Sequence, residues 1–431
     1  MLVEQALPFM RTFLGEGERP VLRAACRYSL SSVGPVAVSA AHFAASLIFL
    51  RLLQAAEFGQ FSFLLIVVPF CLSCAGALLG APASLTRGKD AATAREEIAS
   101  LHKTSLAVAG AAGIVVALLM LSTSAHGWET VLFGLYGAGA TLRSFARSLA
   151  NVRAQLVRVA ASDILYAVLL VGGLCALMAA DRLNMANAAL VLAGAAAVGF
   201  LPFGASYLSE LGGSLGAPGL LRYVPMWRDV TRWSMLGVVL TEVTANAHAY
   251  FVTFLCGPKA FGLLALGALF MRPASLVLSA LPDIDQPVMA RRIAEGNVKG
   301  ALKVVNEFGT AAGAVLAGTI ALSGALLIWF PQLFAKKGYD GTDVLIVLAF
   351  WIAITAIRVV RTPQAVFLQA TGSYPALARV SAWSGATSLV VTLALLFTLG
   401  PIASLGGVLA GEIVIVLAIF PLARAWRRQH A

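Results

Sequence analysis

Twelve apolar stretches, each long enough to cross a lipid bilayer, divide this sequence of 431 residues. A helix of about 20 apolar residues spans a hydrocarbon core of ~30 Å, because each residue adds ~1.5 Å. The pattern therefore predicts an all-α integral membrane protein with twelve transmembrane helices. We place the spans at residues 29–53, 59–80, 104–122, 129–148, 164–180, 185–207, 234–256, 260–281, 308–330, 342–360, 376–399 and 403–423.

The positive charges concentrate in every second gap between these spans. Of the 31 lysines and arginines, 25 lie in alternate gaps or in the span ends beside them, 5 lie in or beside the remaining gaps, and Arg272 lies deep inside a span. Because lysine and arginine accumulate in cytoplasmic loops, the alternation predicts cytoplasmic N- and C-termini. The net charge of +11 then reflects anchoring at helix ends and contact with anionic membrane lipids. We expect no nucleic-acid partner.

The sequence repeats itself weakly at an offset of about 204 residues. The matched elements are Arg27-Tyr28-Ser29-Leu30 with Arg232-Trp233-Ser234-Met235, Glu57-Phe58-Gly59 with Ala260-Phe261-Gly262, and Pro69 with Pro273. Each half holds an even number of spans, so both halves enter the membrane in the same orientation. The repeat predicts two six-helix bundles around a shared cleft. The matched prolines indicate matched kinks, although proline is also common in membrane helices.

This organisation leaves little room for an enzyme active site. We divide the chain into a cytoplasmic N-terminal segment at 1–28, an N-terminal bundle at 29–207, a cytoplasmic linker at 208–233, a C-terminal bundle at 234–423 and a cytoplasmic tail at 424–431. The sequence has no P-loop, zinc motif, catalytic-triad candidate or paired-carboxylate motif. We therefore expect no enzyme activity, no catalytic residue, no metal and no cofactor.

Three short motifs, met in chain order, resemble a known transporter family. Leu50-Arg51-Leu52-Leu53 followed by Glu57-Phe58-Gly59 is similar to the end of the first span in polysaccharide-transporter flippases. The segment 282–297 is similar to that family's exit from its eighth span, and Phe367-Leu368-Gln369-Ala370-Thr371-Gly372 resembles the loop after its tenth span. The sequence thus resembles the polysaccharide transporter, or O-antigen (Wzx-type) flippase, family of the MATE-like (MOP) superfamily.

The resemblance implies a V-shaped cavity between two six-helix bundles in the bacterial inner membrane. It also implies a flippase that moves polyprenyl-pyrophosphate-linked oligosaccharide by alternating access, for lipopolysaccharide or exopolysaccharide biosynthesis. The implied partners are the lipid-linked substrate, H⁺ or Na⁺ as a coupling ion, and a polysaccharide polymerase or export component. The sequence lacks the two additional spans of the lipid II flippase, which argues against that member of the superfamily.

Five ionisable side chains lie near mid-depth in the predicted spans, where a charge usually faces a cavity or a partner. They are His42, Glu242, His248, Arg272 and Glu412. Glu242 and Arg272 lie at similar depths across one helical hairpin, so an ion pair between them is geometrically reasonable. Three polar side chains share a helical face with Glu242, as expected for the lining of a cavity. These are Asn246, Tyr250 and Thr253.

The sequence leaves two interpretations open for each of these groups. The Glu242–Arg272 pair either fixes the hairpin, or Arg272 binds the substrate pyrophosphate while Glu242 responds to a proton or sodium ion. A guanidinium suits phosphate oxygens. Glu412 has no nearby cation in sequence, which indicates either a protonated, neutral acid or a ligand of the coupling ion. His42 and His248 are either helix-packing residues or proton carriers.

Arg143 and Arg358 occupy similar places near the cytoplasmic ends of the fourth and tenth spans. A second arginine, Arg147 or Arg361, follows each of them by about one turn. These side chains either snorkel to the lipid headgroups or form a basic funnel that collects an anionic substrate. Our candidate substrate or cavity residues are Arg272, Glu242, Asn246, Tyr250, Arg143 and Arg358. Our candidate ion-coupling residues are Glu242, Glu412 and His42.

Two other functions compete with the flippase. A cation-coupled multidrug exporter of the MATE type would favour an acidic, aromatic-rich cavity, whereas Arg272 and the basic gaps indicate an anionic substrate. A membrane enzyme of polysaccharide assembly, such as a polymerase or ligase, typically carries a long outside loop for its catalytic residues. The longest predicted outside gap lies around 331–341. A non-transporting component of such an assembly is the remaining alternative.

Overall fold

The computed structural model describes residues 19–86, 90–123, 127–216, 223–331 and 338–430, and these ranges are almost entirely helical. Among the described residues, ten helices are long and apolar enough to cross a membrane, and a bent pair of helices forms an eleventh candidate. The remaining predicted span, 129–148, is also a helix, and it carries two arginines. Residues 1–18 of the predicted N-terminal segment and 217–222 of the predicted linker lie outside the described residues.

We number the bundle helices in chain order. They are α1 (Arg19–Leu52), α2 (Ala55–Ala75), α3 (Ala91–Ser122), α4 (Trp128–Val152), α5 (Leu156–Ala179), α6 (Met185–Val198), α7 (Arg232–Cys256), α8 (Pro258–Phe270), α9 (Arg272–Ala294), α10 (Val298–Trp329), α11 (Gly341–Ala370), α12 (Tyr374–Leu399) and α13 (Leu405–His430). Helices α8 and α9 are the two halves of one bent segment.

Short segments extend some of these helices. A π-helical segment, Gly76–Gly80, and the helix Ala81–Leu85 continue α2. After α6 come a turn of 3₁₀ helix, Leu201–Phe203, and the helix Gly204–Ser214. The helix Tyr223–Met226 and the π-helical segment Trp227–Thr231 lead into α7.

Local sequence signals set several of the helix ends. Gln54 and Glu57 form a capping box at the start of α2, where the Glu57 carboxylate accepts from the Gln54 N–H at 2.8 Å. Asp90 caps α3 by accepting from the Thr93 N–H at 2.9 Å, and this bond lowers the pKa of the Asp90 carboxyl. Gly257 separates α7 from α8 at φ +87°, a conformation that favours glycine.

The helices form two six-segment bundles. In the first bundle α1 packs on α5, α3 packs on α4, and α6 contacts both α4 and α5. In the second, α12 packs on α7 and α13, while α11 contacts α8, α9, α10 and α13. The bundles meet where α2 packs against α7 and α8. At this junction the Phe63 ring contacts Tyr250 and Phe261 edge-to-face, with centroid distances of 5.4 and 6.0 Å.

The outward-facing surfaces of the bundles are apolar. Ile328, Trp329, Phe397 and Leu399 are 72–75% exposed, a degree of exposure that would be unfavourable in water. Together with the apolar helix lengths, these surfaces identify a multi-pass membrane protein. We call the side on which α1 ends and α2 begins the charge-poor side, and the opposite side the arginine-rich side. The cytoplasmic location of the arginine-rich side stays a prediction.

The two proline-containing segments that match in the repeat have different shapes. Helix α2 is continuous through Pro69 and changes only later, at the π-helical segment Gly76–Gly80. Its counterpart breaks at Met271, two residues before Pro273, so that α8 and α9 meet at a bend of 62°. The matched prolines are therefore not accompanied by matching helix breaks.

Candidate functional site

A cavity of about 170 Å³ lies between the bundles, where α1 and α2 approach α7, α8, α9 and α11. Its apolar wall includes Phe58 and Phe261, which occupy equivalent positions in the repeat. Its other distinctive side chains are Ser46, Ser62, Asn246, His248, Arg272 and Trp351. A mostly apolar wall with a few convergent polar groups is typical of a ligand pocket.

Arg272 supplies the cavity with a positive charge. The break at Met271 makes Arg272 the first residue of α9, and Pro273 follows at a position where its missing N–H costs no helical hydrogen bond. The half-buried Arg272 side chain forms no hydrogen bond or ion pair with the residues that the structure describes. The start of α9 adds the positive end of a helix dipole. This arrangement can bind an anion.

The expected ion pair between Glu242 and Arg272 is not formed in the described part of the chain. Glu242 instead accepts hydrogen bonds within α7, from Asn246 Nδ2 at 3.0 Å and from the Tyr250 hydroxyl at 2.8 Å. The prediction assumed a straight hairpin, and the bend at Met271 invalidates that assumption. Asn246 lines the cavity, whereas Glu242 and Tyr250 form a hydrogen-bonded row along the same helix.

A buried ion-pair network lies inside the first bundle. Arg143 and Arg147 of α4 hold the Asp163 carboxylate of α5 at 2.8 and 2.9 Å. The Asp163 side chain is fully buried, and the Arg143 side chain is only 7% exposed. The interpretation of Arg143 as a snorkelling side chain is therefore wrong, because a carboxylate binds it inside the bundle, and its role in collecting an anionic substrate stays a prediction.

This network extends towards the cavity through aromatic side chains. The Arg143 guanidinium lies 4.4 Å from the centroid of the Tyr166 ring. The Tyr166 hydroxyl lies 3.2 Å from that of Tyr136 and 3.1 Å from His42 Nε2. His42 is one turn from the cavity-lining Ser46 on α1, and the Ser46 hydroxyl donates to its carbonyl at 2.7 Å. The structure thus places His42 between the network and the cavity.

The second bundle contains a corresponding network with a different acid. Glu412 of α13 accepts from Arg358 Nε at 2.6 Å and from Arg361 Nε at 2.5 Å, both on α11. The interpretation of Glu412 as an isolated neutral acid is therefore wrong. Its cations lie 51 and 54 residues away in sequence, so local inspection could not find them. A role in ion coupling stays a prediction.

The networks repeat their arginines but not their acids. Each arginine pair lies on the fourth segment of its bundle, whereas Asp163 comes from the fifth segment and Glu412 from the sixth. Asp163, Tyr136 and Tyr166 were missed in the sequence. The fifth span was predicted to start at residue 164, although α5 begins at Leu156 and places Asp163 two turns inside the helix.

The cavity wall on the second bundle is built around His248 and Trp351. His248 is 2% exposed, and its ring lies edge-on to Trp351 with the centroids 5.9 Å apart. The Trp351 indole N–H donates to the Leu264 carbonyl at 2.9 Å. Sequence inspection singled out His248 but not Trp351. In the described ranges, no group of three or more His, Cys, Asp or Glu side chains could hold a metal ion.

The bundles touch on the charge-poor side through matched glycines of the repeat. Gly59 of α2 packs so closely on α8 that a Cβ at this position would overlap the Pro258 carbonyl oxygen. A Cβ at Gly262 would lie 3.0 Å from the Ala55 carbonyl oxygen and 2.6 Å from the Tyr339 hydroxyl. Only residues without side chains allow this backbone approach.

Comparison with solved structures identifies the fold. No protein-family model matches the sequence, and no curated protein matches it significantly. An inward-facing multidrug resistance MATE family transporter of the MOP superfamily superimposes with a TM-score of 0.63 and 13% identity, over 93% of this chain and 98% of that chain. The lipid II flippase MurJ, in an inward closed conformation, gives a TM-score of 0.68 and 12% identity over 92% and 87% of the two chains.

A MOP superfamily transporter from Pyrococcus furiosus is also similar. Its TM-score is 0.55 at 12% identity, over 96% of this chain and 97% of that chain. The chain therefore has the fold shared by MATE and MOP transporters and the lipid II flippase. The predicted architecture of two pseudo-repeated six-helix bundles is confirmed.

Proposed function

We propose that this protein is a flippase that moves polyprenyl-pyrophosphate-linked oligosaccharide across the bacterial inner membrane by alternating access. The product would serve the biosynthesis of lipopolysaccharide or exopolysaccharide. The observation that carries the proposal is the charge of Arg272, which no carboxylate among the described residues compensates, in a cavity between two bundles of a transporter fold. In this proposal, Arg272 binds the pyrophosphate.

The distribution of charge supports an anionic substrate. Arg143 and Arg147 are neutralised in part by Asp163, and the second arginine pair is neutralised in part by Glu412. Arg272 has no such carboxylate among the described residues. A guanidinium in a cavity of low dielectric constant binds phosphate oxygens strongly, and the start of a broken helix favours the same charge.

One structural comparison supports this proposal, whereas the MATE transporters support the alternative function given below. One similar protein is a lipid II flippase. For the Pyrococcus furiosus transporter, a reversed polarity of the binding pocket suggests a different function. By the same reasoning, the basic group in this cavity favours an anionic lipid-linked substrate over an organic cation.

A coupling ion would act at a carboxylate that can gain and lose its charge. We assign this role first to Glu242, which has two hydrogen-bond donors and no cationic partner in the described residues. Glu412 is a weaker candidate, because its carboxylate is already bound by two arginines. His42 remains a candidate for passing a proton between Tyr166 and the cavity.

A deletion strain tests the proposed function. We expect the strain to accumulate a defined polyprenyl-linked oligosaccharide on the inner leaflet, and wild-type protein to clear it. Arg272→Ala should fail to clear the lipid at a normal protein level. Arg379→Ala is the matched control, because Arg379 is an exposed arginine of α12. Clearance by Arg272→Ala at the wild-type rate would contradict the assignment of Arg272.

The alternative function is a cation-coupled multidrug exporter of the MATE type. The specific observation in its favour is the Glu242 carboxylate, which is bonded to the cavity-lining Asn246 and has no cationic partner among the described residues, since such a group attracts organic cations. This function predicts an unchanged lipid pool in the deletion strain together with increased sensitivity to cationic drugs. Normal drug tolerance with accumulated lipid would exclude it.

A further inference from the structure

The Trp351 ring is fixed in the cavity wall by contacts on several sides. Its indole N–H is committed to the Leu264 carbonyl of α8 at 2.9 Å. A Cβ at Gly267 would lie 2.7 Å from Trp351 Cδ1, so the glycine allows the ring to lie close to the α8 backbone. The His248 ring contacts Trp351 at an interplanar angle of 65°. Trp351 thus reaches the cavity as a rigid aromatic surface.

Hydrogen-bonding groups share this cavity with the indole. Asn246 lies on α7 beside His248, and the Ser46 and Ser62 hydroxyls belong to the opposite bundle. His248 also lines the cavity, although its Nδ1 atom is buried away from that space and has no hydrogen-bond partner among the described residues.

An indole surface beside polar groups matches the chemistry of a sugar ring. A hexose has an apolar face of C–H groups and a rim of hydroxyls. The C–H face can lie on an aromatic ring and bury apolar surface, while the hydroxyls bond to amide, imidazole and hydroxyl groups. Arg272 in the same cavity would hold the phosphate to which the sugar is attached.

We infer that Trp351 binds the first sugar of the lipid-linked substrate, next to the pyrophosphate at Arg272. The inference rests on the proposed function, and it adds the part of the substrate that the cavity recognises. The cavity volume of about 170 Å³ suits a small portion of the substrate and not a whole oligosaccharide. Trp351 is then a specificity-determining residue, and His248 and Asn246 are the groups that contact sugar hydroxyls.

The inference is tested by measuring how tightly two lipids bind to the purified full-length protein in detergent. One is a polyprenyl diphosphate, and the other is the same lipid carrying a single hexose. We expect wild-type protein to bind the hexose-bearing lipid about tenfold more tightly, as one aromatic contact allows. Trp351→Leu should abolish this preference and leave the affinity for the sugar-free lipid unchanged.

Two further variants separate this inference from the proposed function. Trp351→Phe keeps an aromatic ring and should keep part of the preference, although it loses the bond to Leu264. Arg272→Gln should weaken the binding of both lipids. The sugar assignment alone would be overturned if Trp351→Leu weakened the binding of both lipids equally, or if wild-type protein did not prefer the hexose-bearing lipid. The proposed function would be overturned if Arg272→Gln bound both lipids with wild-type affinity, or if wild-type protein bound neither lipid.

Discussion

Two equivalent segments of this molecule, α2 and α8–α9, differ at the point that gives the cavity its charge. Helix α2 is continuous through Pro69, and Val68, which the repeat offset aligns with Arg272, is apolar and 2% exposed. The second copy breaks at Met271, and the break brings Arg272 to the start of α9. A repeated fold therefore carries a charge that is not repeated. The difference shows that sequence symmetry does not predict where the uncompensated charge lies.

The two arginine networks extend this comparison. Both clamp one carboxylate between two arginines, but the environments differ. Asp163 is fully buried and its arginines, Arg143 and Arg147, are 7% and 25% exposed, whereas Glu412 is 5% exposed and both of its arginines are 23% exposed. The difference lies in the carboxylates and in Arg143. The first network should therefore contribute more to stability than the second.

The largest effect we expect follows from breaking the first network. Asp163→Asn leaves two arginines without their carboxylate and should lower the free energy of unfolding by about 3–5 kcal/mol, as for other buried pairs. Glu412→Gln should cost about 1.5–3 kcal/mol, because water can solvate its arginines in part. Denaturant unfolding of both purified variants in detergent measures the difference. An equal or greater loss for Glu412→Gln would contradict the comparison.

The next effect concerns the glycines that join the bundles on the charge-poor side. Gly59→Ala places a methyl group against the rigid Pro258 carbonyl, so the bundles should separate there. Gly262→Ala should open this contact less, because the nearest atom is a tyrosine hydroxyl that can move. The reporter is Ser46→Cys, labelled by an impermeant thiol reagent that is added on the charge-poor side. We expect this cysteine to be labelled faster when Gly59→Ala is also present than when Gly59 is kept.

This experiment needs a defined background. The five native cysteines are first replaced, so that labelling reports only on the cavity position. Gly110→Ala serves as the control, since a Cβ there meets no atom within 4 Å. Equal labelling of the Gly59→Ala and Gly110→Ala proteins would show that the glycine contact does not close the charge-poor side.

The smallest effect we expect is a difference in transport rate between variants of the two matched prolines, Pro273 and Pro69. Pro273→Ala removes the residue that disfavours a continuous helix across Met271, so α8 and α9 can straighten and draw Arg272 away from the cavity. We expect a several-fold loss of transport. Pro69→Ala should change transport little, because α2 is already continuous there. Transport rates in vesicles decide the comparison, and an equal loss in both variants would contradict it.

The sequence was sufficient to predict the architecture. The apolar length of a span and the arginines at its ends can be read from the sequence without knowing any tertiary contact. All twelve predicted spans accordingly correspond to helical segments. The repeat also matched Phe58-Gly59 with Phe261-Gly262, but only the structure shows that the bundles meet at these residues. Arg272 could be singled out because a charge inside an apolar span has few explanations.

The partners of the charged residues could not be predicted from the sequence. Glu412 and Arg358 are 54 positions apart, and nothing local indicates that α11 packs on α13. Asp163 escaped notice because the start of its helix was placed eight residues too late. The Glu242–Arg272 pair was not predicted correctly because the break at Met271 has no counterpart at the matched Pro69, so the proline alone does not predict a break. Which charged side chains pair with one another thus depends on contacts between helices distant in sequence and on helix bends.

The most direct test of the central claim is the movement of a radiolabelled polyprenyl-diphosphate-linked hexose across vesicles that contain the purified protein. Our account predicts transfer above the rate of empty vesicles for the wild type and for Arg379→Ala, and no transfer above that rate for Arg272→Ala. Transfer by Arg272→Ala at the wild-type rate, or none by the wild type, would contradict it.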